Sequence, residues 1–320
     1  MSSVDRSTVW PYVDGEPGEY VYARFAHPAG VAAERALGAL EGGHALLYPS
    51  GTGAATALLL TLLAPGDTVA LAEGAYYGTG VLLGELERWG LRHVLFDQTG
   101  APPDDVQLVW IEAPSNPLLT MPDFPSAAAH TAPVVCDSTA ATPVHLRPLE
   151  HGCDYVLHSA TKFLAGHHDA LVGAIVAKRE EDAARLHELR TRTGIVCQPE
   201  TAALLHRGLE TLDVRVARQT ESARALAEQL RRHPTVLVVR YPGFGGLLSF
   251  DVVDGAAAGR VETATRLVRN QTSLGGVHSS IESRHRWEGD RIPEGLLRLS
   301  VGLEPAGEIW ADLEQALATT

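Results

Sequence analysis

Residues 154–173 read DYVLHSATKFLAGHHDALVG. Tyr155, Val156 and Leu157 form an apolar run of the kind that makes a buried strand. Within two residues the chain turns polar, at Ser159, Thr161 and Lys162, and the stretch closes on Gly166, His167, His168 and Asp169. A lysine just past the end of a central strand stands where open α/β sheets place their ligands. Desolvation there lowers its pKa and makes the amine a usable nucleophile. The hydroxyls of Ser159 and Thr161, at alternate positions, can both face a bound phosphate. An isolated S-x-T-K reads better as a solvated lysine in a turn, so the neighbouring segments must decide.

On the amino-terminal side, apolar runs recur with helical spacers at 68–72, 92–96, 107–112 and 133–137, and another run follows at 171–177. That alternation predicts a mostly parallel, doubly wound sheet. The run at 133–137 ends in Asp137, followed by Ser138 and Thr139; the run at 107–112 ends in Glu112, followed by Pro114-Ser115-Asn116-Pro117. A single carboxylate closing a strand is commonly a cap or turn former, but two of them and a lysine at one sheet edge suggest chemistry. Tyr76-Tyr77-Gly78-Thr79 sets aromatic rings in a loop before the next helix. Further upstream, residues 30–42 predict a helix ending at paired glycines. A strand at 45–48 then leads through Pro49-Ser50-Gly51-Thr52-Gly53 into a helix, an arrangement that offers free backbone N–H groups and a helix dipole to an anion. No dinucleotide fingerprint is present, which argues against a Rossmann-type dehydrogenase.

Residues 1–30, with Pro11, Pro17 and Pro28, read as an extended arm that must pack on something, a second subunit among the options. Tyr22 and Arg24 lie on one side of it, since extended side chains alternate; taken alone they are a surface pair. Residues 31–215 read as the large domain and 216–320 as a smaller α/β domain. The latter has strands near 236–240, 246–251 and 296–301, with helices near 261–268 and 308–318. A long amphipathic helical stretch from residue 213 bridges the two. Arg298, inside an apolar strand, is expensive unless it meets a carboxylate, either structural or a substrate's. The composition fits a soluble α/β protein: 320 residues, 45% apolar, with a net charge of −13 that argues against nucleic acid. The three cysteines share no metal-ligand spacing, so no metal is expected, and no apolar run spans a bilayer. The amino terminus lacks a signal-peptide pattern, so a cytoplasmic location is expected.

The segments YARFAHP, SGTGAA, YYGT, EAPSNPLL, CDSTAATP, HSATKFLAGHHD, RGLETL, SLGG and LRLSVGLE together resemble the Cys/Met-metabolism family of pyridoxal-phosphate enzymes. This family includes cystathionine γ-synthase, cystathionine γ-lyase and methionine γ-lyase. The resemblance implies the fold-type I, aspartate aminotransferase-like α/β architecture and pyridoxal 5′-phosphate (PLP) as cofactor. It makes Lys162 the Schiff-base lysine and proton carrier, and Asp137 the partner of the pyridine nitrogen. Ser159, Thr161, Gly51 and Thr52 match the phosphate cup, and Thr139 belongs to the same cofactor site. Tyr22 and Arg24 match residues reaching from a neighbouring subunit, which implies a homodimer or homotetramer. Tyr76 matches the tyrosine stacked on the ring and serving the leaving group. Arg298, with Ser273 and Asn116, matches the binder of the amino acid's α-carboxylate.

The chain also departs from the family pattern. It is short around 241–246 and between 281 and 296, where IESRHRWEGDRIPEG replaces the usual segment. His27, Tyr77, Gly78 and His278 stand where other residues are customary, and Gly78 disfavours a thiol-specific methionine γ-lyase. The expected activity is a lyase or transferase acting on an L-amino acid with a γ- or β-leaving group, on an unusual substrate if the trimmed loops reshape the pocket. A β-eliminating C–S lyase and a non-catalytic binding protein on the same scaffold are the alternatives.

Overall fold

The run Tyr155–His158 becomes the third strand of a seven-stranded sheet in the computed structural model, which describes residues 4–320. The strands are β1 (His44–Tyr48), β2 (Thr68–Ala72), β3 (Arg92–Phe96), β4 (Leu108–Glu112), β5 (Val134–Asp137), β6 (Tyr155–His158) and β7 (Gly173–Ala177). Their order is β1-β7-β6-β5-β4-β2-β3. The pairs among β2 to β6 are parallel, as the helical spacers predict, whereas β7 runs antiparallel to both β6 and β1. The cause is local: no crossover helix separates β6 from β7, so the chain can only turn back beside the strand it left. The turn between them carries Lys162.

Strands β4 and β5 are buried along their whole length, which is why they read as continuous apolar runs. Their register sets Glu112 beside Asp137, and Asp137 beside Leu157 on β6. Both carboxylates and the lysine loop therefore share one sheet edge. Helix α1 spans Pro28–Glu41, α2 spans Gly51–Leu62 and α3 spans Tyr77–Leu86. Helix α2 starts at Ser50, whose hydroxyl accepts from the Gly53 N–H.

A second sheet is built from β8 (Val238–Arg240), β9 (Leu247–Asp251), β10 (Arg269–Asn270), β11 (Ser280–Ser283) and β12 (Leu296–Ser300), in the order β10-β11-β12-β9-β8. The helix Leu212–Arg232 links the two cores. Its Leu212 and Val216 join the cluster around Phe163, and its Ala223, Leu226, Ala227 and Leu230 join the cluster under the second sheet. The helix expected near 261–268 is instead Gly255–Ala264. Asp254 caps it by accepting from the Ala257 N–H, and the amides of Leu267 and Val268 bond the Asp312 carboxylate, which draws them out of a helix.

Candidate active site

One cavity of about 430 Å³ opens at the carboxyl ends of β4, β5 and β6. Lys162, Asp137, Thr139, Ser159, Thr161, Gly51, Thr52, Tyr76, Asn116, Ser273 and Arg298 all line it. Lys162 Nζ donates to Ser273 Oγ at 2.6 Å. Ser273 itself sits at φ 84°, a conformation costly for a residue with a side chain. It is held from both sides, because its carbonyl also accepts from Arg298. The loop behind it fits only with glycine: a Cβ on Gly275 would stand 2.5 Å from the Phe163 nitrogen.

Burial pushes the Lys162 amine down to about 8, and the Arg298 guanidinium adds to the effect. The neutral, nucleophilic form is therefore reached near physiological pH. Capture of PLP by the apoprotein should accelerate as pH rises through about 8, rather than near the 10.5 of a free lysine. Stopped-flow absorbance against pH checks this, and a midpoint near that of free lysine would contradict it.

Asp137 is buried at the carboxyl end of β5. Its Oδ1 accepts from the backbone N–H of Thr139 at 3.0 Å and from its hydroxyl at 2.5 Å. The same hydroxyl accepts from the Ser159 N–H at 2.8 Å, tying acid and lysine loop together. Desolvation raises the Asp137 carboxyl above its ordinary range, with the Thr139 bonds opposing. Neighbouring Glu112 is raised well above the usual range, first by burial and then by Asp137. Glu112 accepts from the Tyr76 N–H at 2.6 Å and so fixes the start of the aromatic loop.

Arg298 is fully enclosed. Nη1 donates to Asn116 Oδ1 at 2.9 Å; Nη2 donates to the Ser273 carbonyl and to Glu282 Oε2, both at 3.0 Å. The remaining guanidinium donors are free for a ligand carboxylate. Burial, reinforced by Arg284, lowers Arg298 to about 10. The ion pair with Glu282 is the structural half of the alternative that the buried arginine posed.

One expectation, that for Thr161, is modified by geometry. The Thr161 hydroxyl is bonded to the backbone of Val172, donating to its carbonyl at 3.1 Å and accepting from its N–H at 2.9 Å. Tyr22 and Arg24 do not line the cavity of their own chain. The Arg24 guanidinium lies 5.3 Å from the Tyr22 ring centroid and donates to the Thr191 carbonyl. Ser50, from the glycine turn named above, also lines the cavity, while sequence reasoning missed Arg284 and Trp287, which nothing local marked.

These residues fit PLP. The free N–H groups at the start of α2 and the Ser159 hydroxyl offer a phosphate cradle, kept open by glycine, since a Cβ on Gly51 would stand 2.9 Å from that of Ser159. Asp137 Oδ2 accepts no hydrogen bond among the described residues, as an acceptor for a protonated pyridine nitrogen requires. The class defined is thus an α/β enzyme that carries PLP on a lysine.

The chain belongs to the Cys/Met metabolism PLP-dependent enzymes, whose family model it matches over residues 2–318. It is 38% identical to an L-methionine gamma-lyase of Pseudomonas putida, over 95% of this chain and 86% of that protein. It is 37% identical to a cystathionine gamma-synthase of Mycobacterium bovis, over 95% of this chain and 88% of that one. Among solved structures, a cystathione gamma lyase (CalE6) from Micromonospora echinospora superposes with a TM-score of 0.93 at 36% identity, covering 99% of this chain and 93% of that one. The architecture is accordingly that of fold-type I PLP enzymes, as the motifs implied.

Proposed function

We propose that this protein eliminates or replaces the γ-substituent of an L-amino acid, with Lys162, Asp137, Arg298 and Tyr76 as its working residues. The observation that carries the reading is that Lys162, Arg298 and Asp137 line one cavity. PLP, when bound, supplies an electron sink conjugated to the amino acid's Cα. Arg298, steadied by Asn116, holds the α-carboxylate and so fixes which Cα bond faces Lys162. The Lys162 amine would take the proton from Cα and, for a γ-leaving group, a second one from Cβ only after handing the first on to the bound cofactor. Asp137 keeps a positive charge on the pyridine nitrogen. Tyr76, whose phenol burial shifts upward, stays protonated and can donate to the departing group. Ser273 orients the lysine through its hydroxyl. The test is a screen of L-amino acids bearing γ- or β-leaving groups, following 2-oxo acid, ammonia and added nucleophile together. Release of 2-oxo acid from γ-substituted substrates supports the reading; release from β-substituted ones alone overturns the γ assignment.

The active unit in this reading is a homo-oligomer in which Tyr22 and Arg24 reach the phosphate of a neighbouring site. What supports it is an arm without helix or long strand that leaves both residues outside their own cavity, with Val9, Tyr12 and Val13 exposed. If so, co-expressing Arg24→Ala with Lys162→Ala should restore activity that neither variant has alone, because a mixed dimer contains one site with both residues intact. Co-purified mixed dimers without activity would contradict the arrangement.

A further inference from the structure

The mouth of the cavity is aromatic. Tyr77 and Trp287 line it with rings nearly parallel, at an interplanar angle of 15° and a centroid separation of 6.4 Å, and Tyr76 packs edge-on against Tyr77 at 4.9 Å. Leu82 and Leu171 also line the cavity. In the single chain Trp287 is 49% exposed and Tyr76 37%, so both rings keep apolar surface uncovered by their own chain. The indole is nonetheless fixed, because Nε1 donates to Glu282 Oε1 at 2.8 Å, the carboxylate that also holds Arg298.

The charges at this end are already matched. Arg284 donates to Glu282 and to Glu288, each at 2.9 Å, and Arg291 donates to the other oxygen of Glu288 at 3.0 Å. The Arg284 guanidinium, which also lines the cavity, lies 5.9 Å from the Tyr77 ring centroid. Among the lining residues the only carboxylates are Glu112 and Asp137, engaged by Tyr76 and Thr139. A leaving group carrying its own ammonium and carboxylate, as in cystathionine, would enter this end and find no unengaged carboxylate, and in Arg284 a cation already paired with Glu282 and Glu288. Stripping water from such charges without partners is costly, whereas a flat apolar body covers exposed aromatic surface.

We propose that Tyr77 and Trp287 form a specificity wall, and that the preferred substrate is an L-amino acid whose γ-substituent ends in an uncharged aromatic or heteroaromatic group. The inference rests on the elimination reading above and names the substrate class of that same site.

The test uses PLP-loaded full-length protein and three probes: S-benzyl-L-homocysteine, L-cystathionine and O-acetyl-L-homoserine. The aromatic thioether should exceed cystathionine by at least about tenfold, both in kcat/KM and in calorimetric Kd, with the wall supplying the difference. Trp287→Ala and Tyr77→Gly should each shrink the ratio of the benzyl to the acetyl probe by roughly three- to tenfold. Cystathionine used as well as the benzyl probe, or a Trp287→Ala loss equal on all three probes, overturns the wall. If none of the three is turned over but the benzyl probe still binds more tightly, the wall stands and the elimination reading falls. Turnover of all three without that preference does the reverse.

Discussion

Lys162→Ala is expected to lower turnover on any substrate at least about a thousandfold, since it removes both the cofactor's attachment point and the base at Cα. The same substitution should make the apoprotein more stable at pH 7. An amine whose folded value is about 8 against 10.5 when free binds its proton less well in the folded state. Between those values the unfolded chain holds more protons, so stability linked to this group rises with pH across that window. Below pH 8 the folded apoprotein bears the full cost of the buried charge, on the order of 3 kcal/mol before any relaxation. Removing the amine removes that cost. Melting curves of the two apoproteins from pH 7 to pH 10 should therefore converge as pH rises. An alanine variant less stable than wild type throughout would show that the bond to Ser273 outweighs desolvation.

Arg298→Met is expected to have the second largest effect, a loss of about 2–5 kcal/mol in transition-state binding for a truncated buried charge partner. Two consequences separate this from simple unfolding. Asn116 and the Ser273 carbonyl lose their donor, so the lysine loop loosens, while Glu282 keeps Arg284 and Trp287. The fold should survive with KM raised strongly. Steady-state kinetics at fixed PLP saturation read this directly, and an unchanged KM would remove Arg298 from the carboxylate site.

How far these residues could be read from sequence depended on whether their constraints were local. Strands β4 and β5 were legible because burial on both faces leaves an unbroken apolar run, and the acids that close them stood out against it. The reversed direction of β7 was not legible from its own residues, since it follows from the missing crossover. The helix Glu180–Thr193 escaped notice because charged residues dominate it. It is anchored by Arg190, which reaches Glu34 and the Leu47 carbonyl, far away in the chain. The aromatic wall was hidden for a similar reason. In IESRHRWEGDRIPEG charged residues outnumber apolar ones, yet Glu282, Arg284 and Glu288 are buried and ion-paired. Arg298, on a neighbouring strand, completes that set. The preference for a substrate's carboxylate over a structural one as its partner came only from the resemblance.

The central claim is a covalent one, that Lys162 carries the PLP aldehyde while Asp137 holds the ring nitrogen. The most direct test is borohydride reduction of the yellow holoprotein, followed by proteolysis and mass spectrometry of the labelled peptide. The account predicts a pyridoxyl label on the peptide containing Lys162, with loss of the visible absorbance band. A colourless protein that PLP cannot reconstitute, or a label on Lys178 instead, would contradict it.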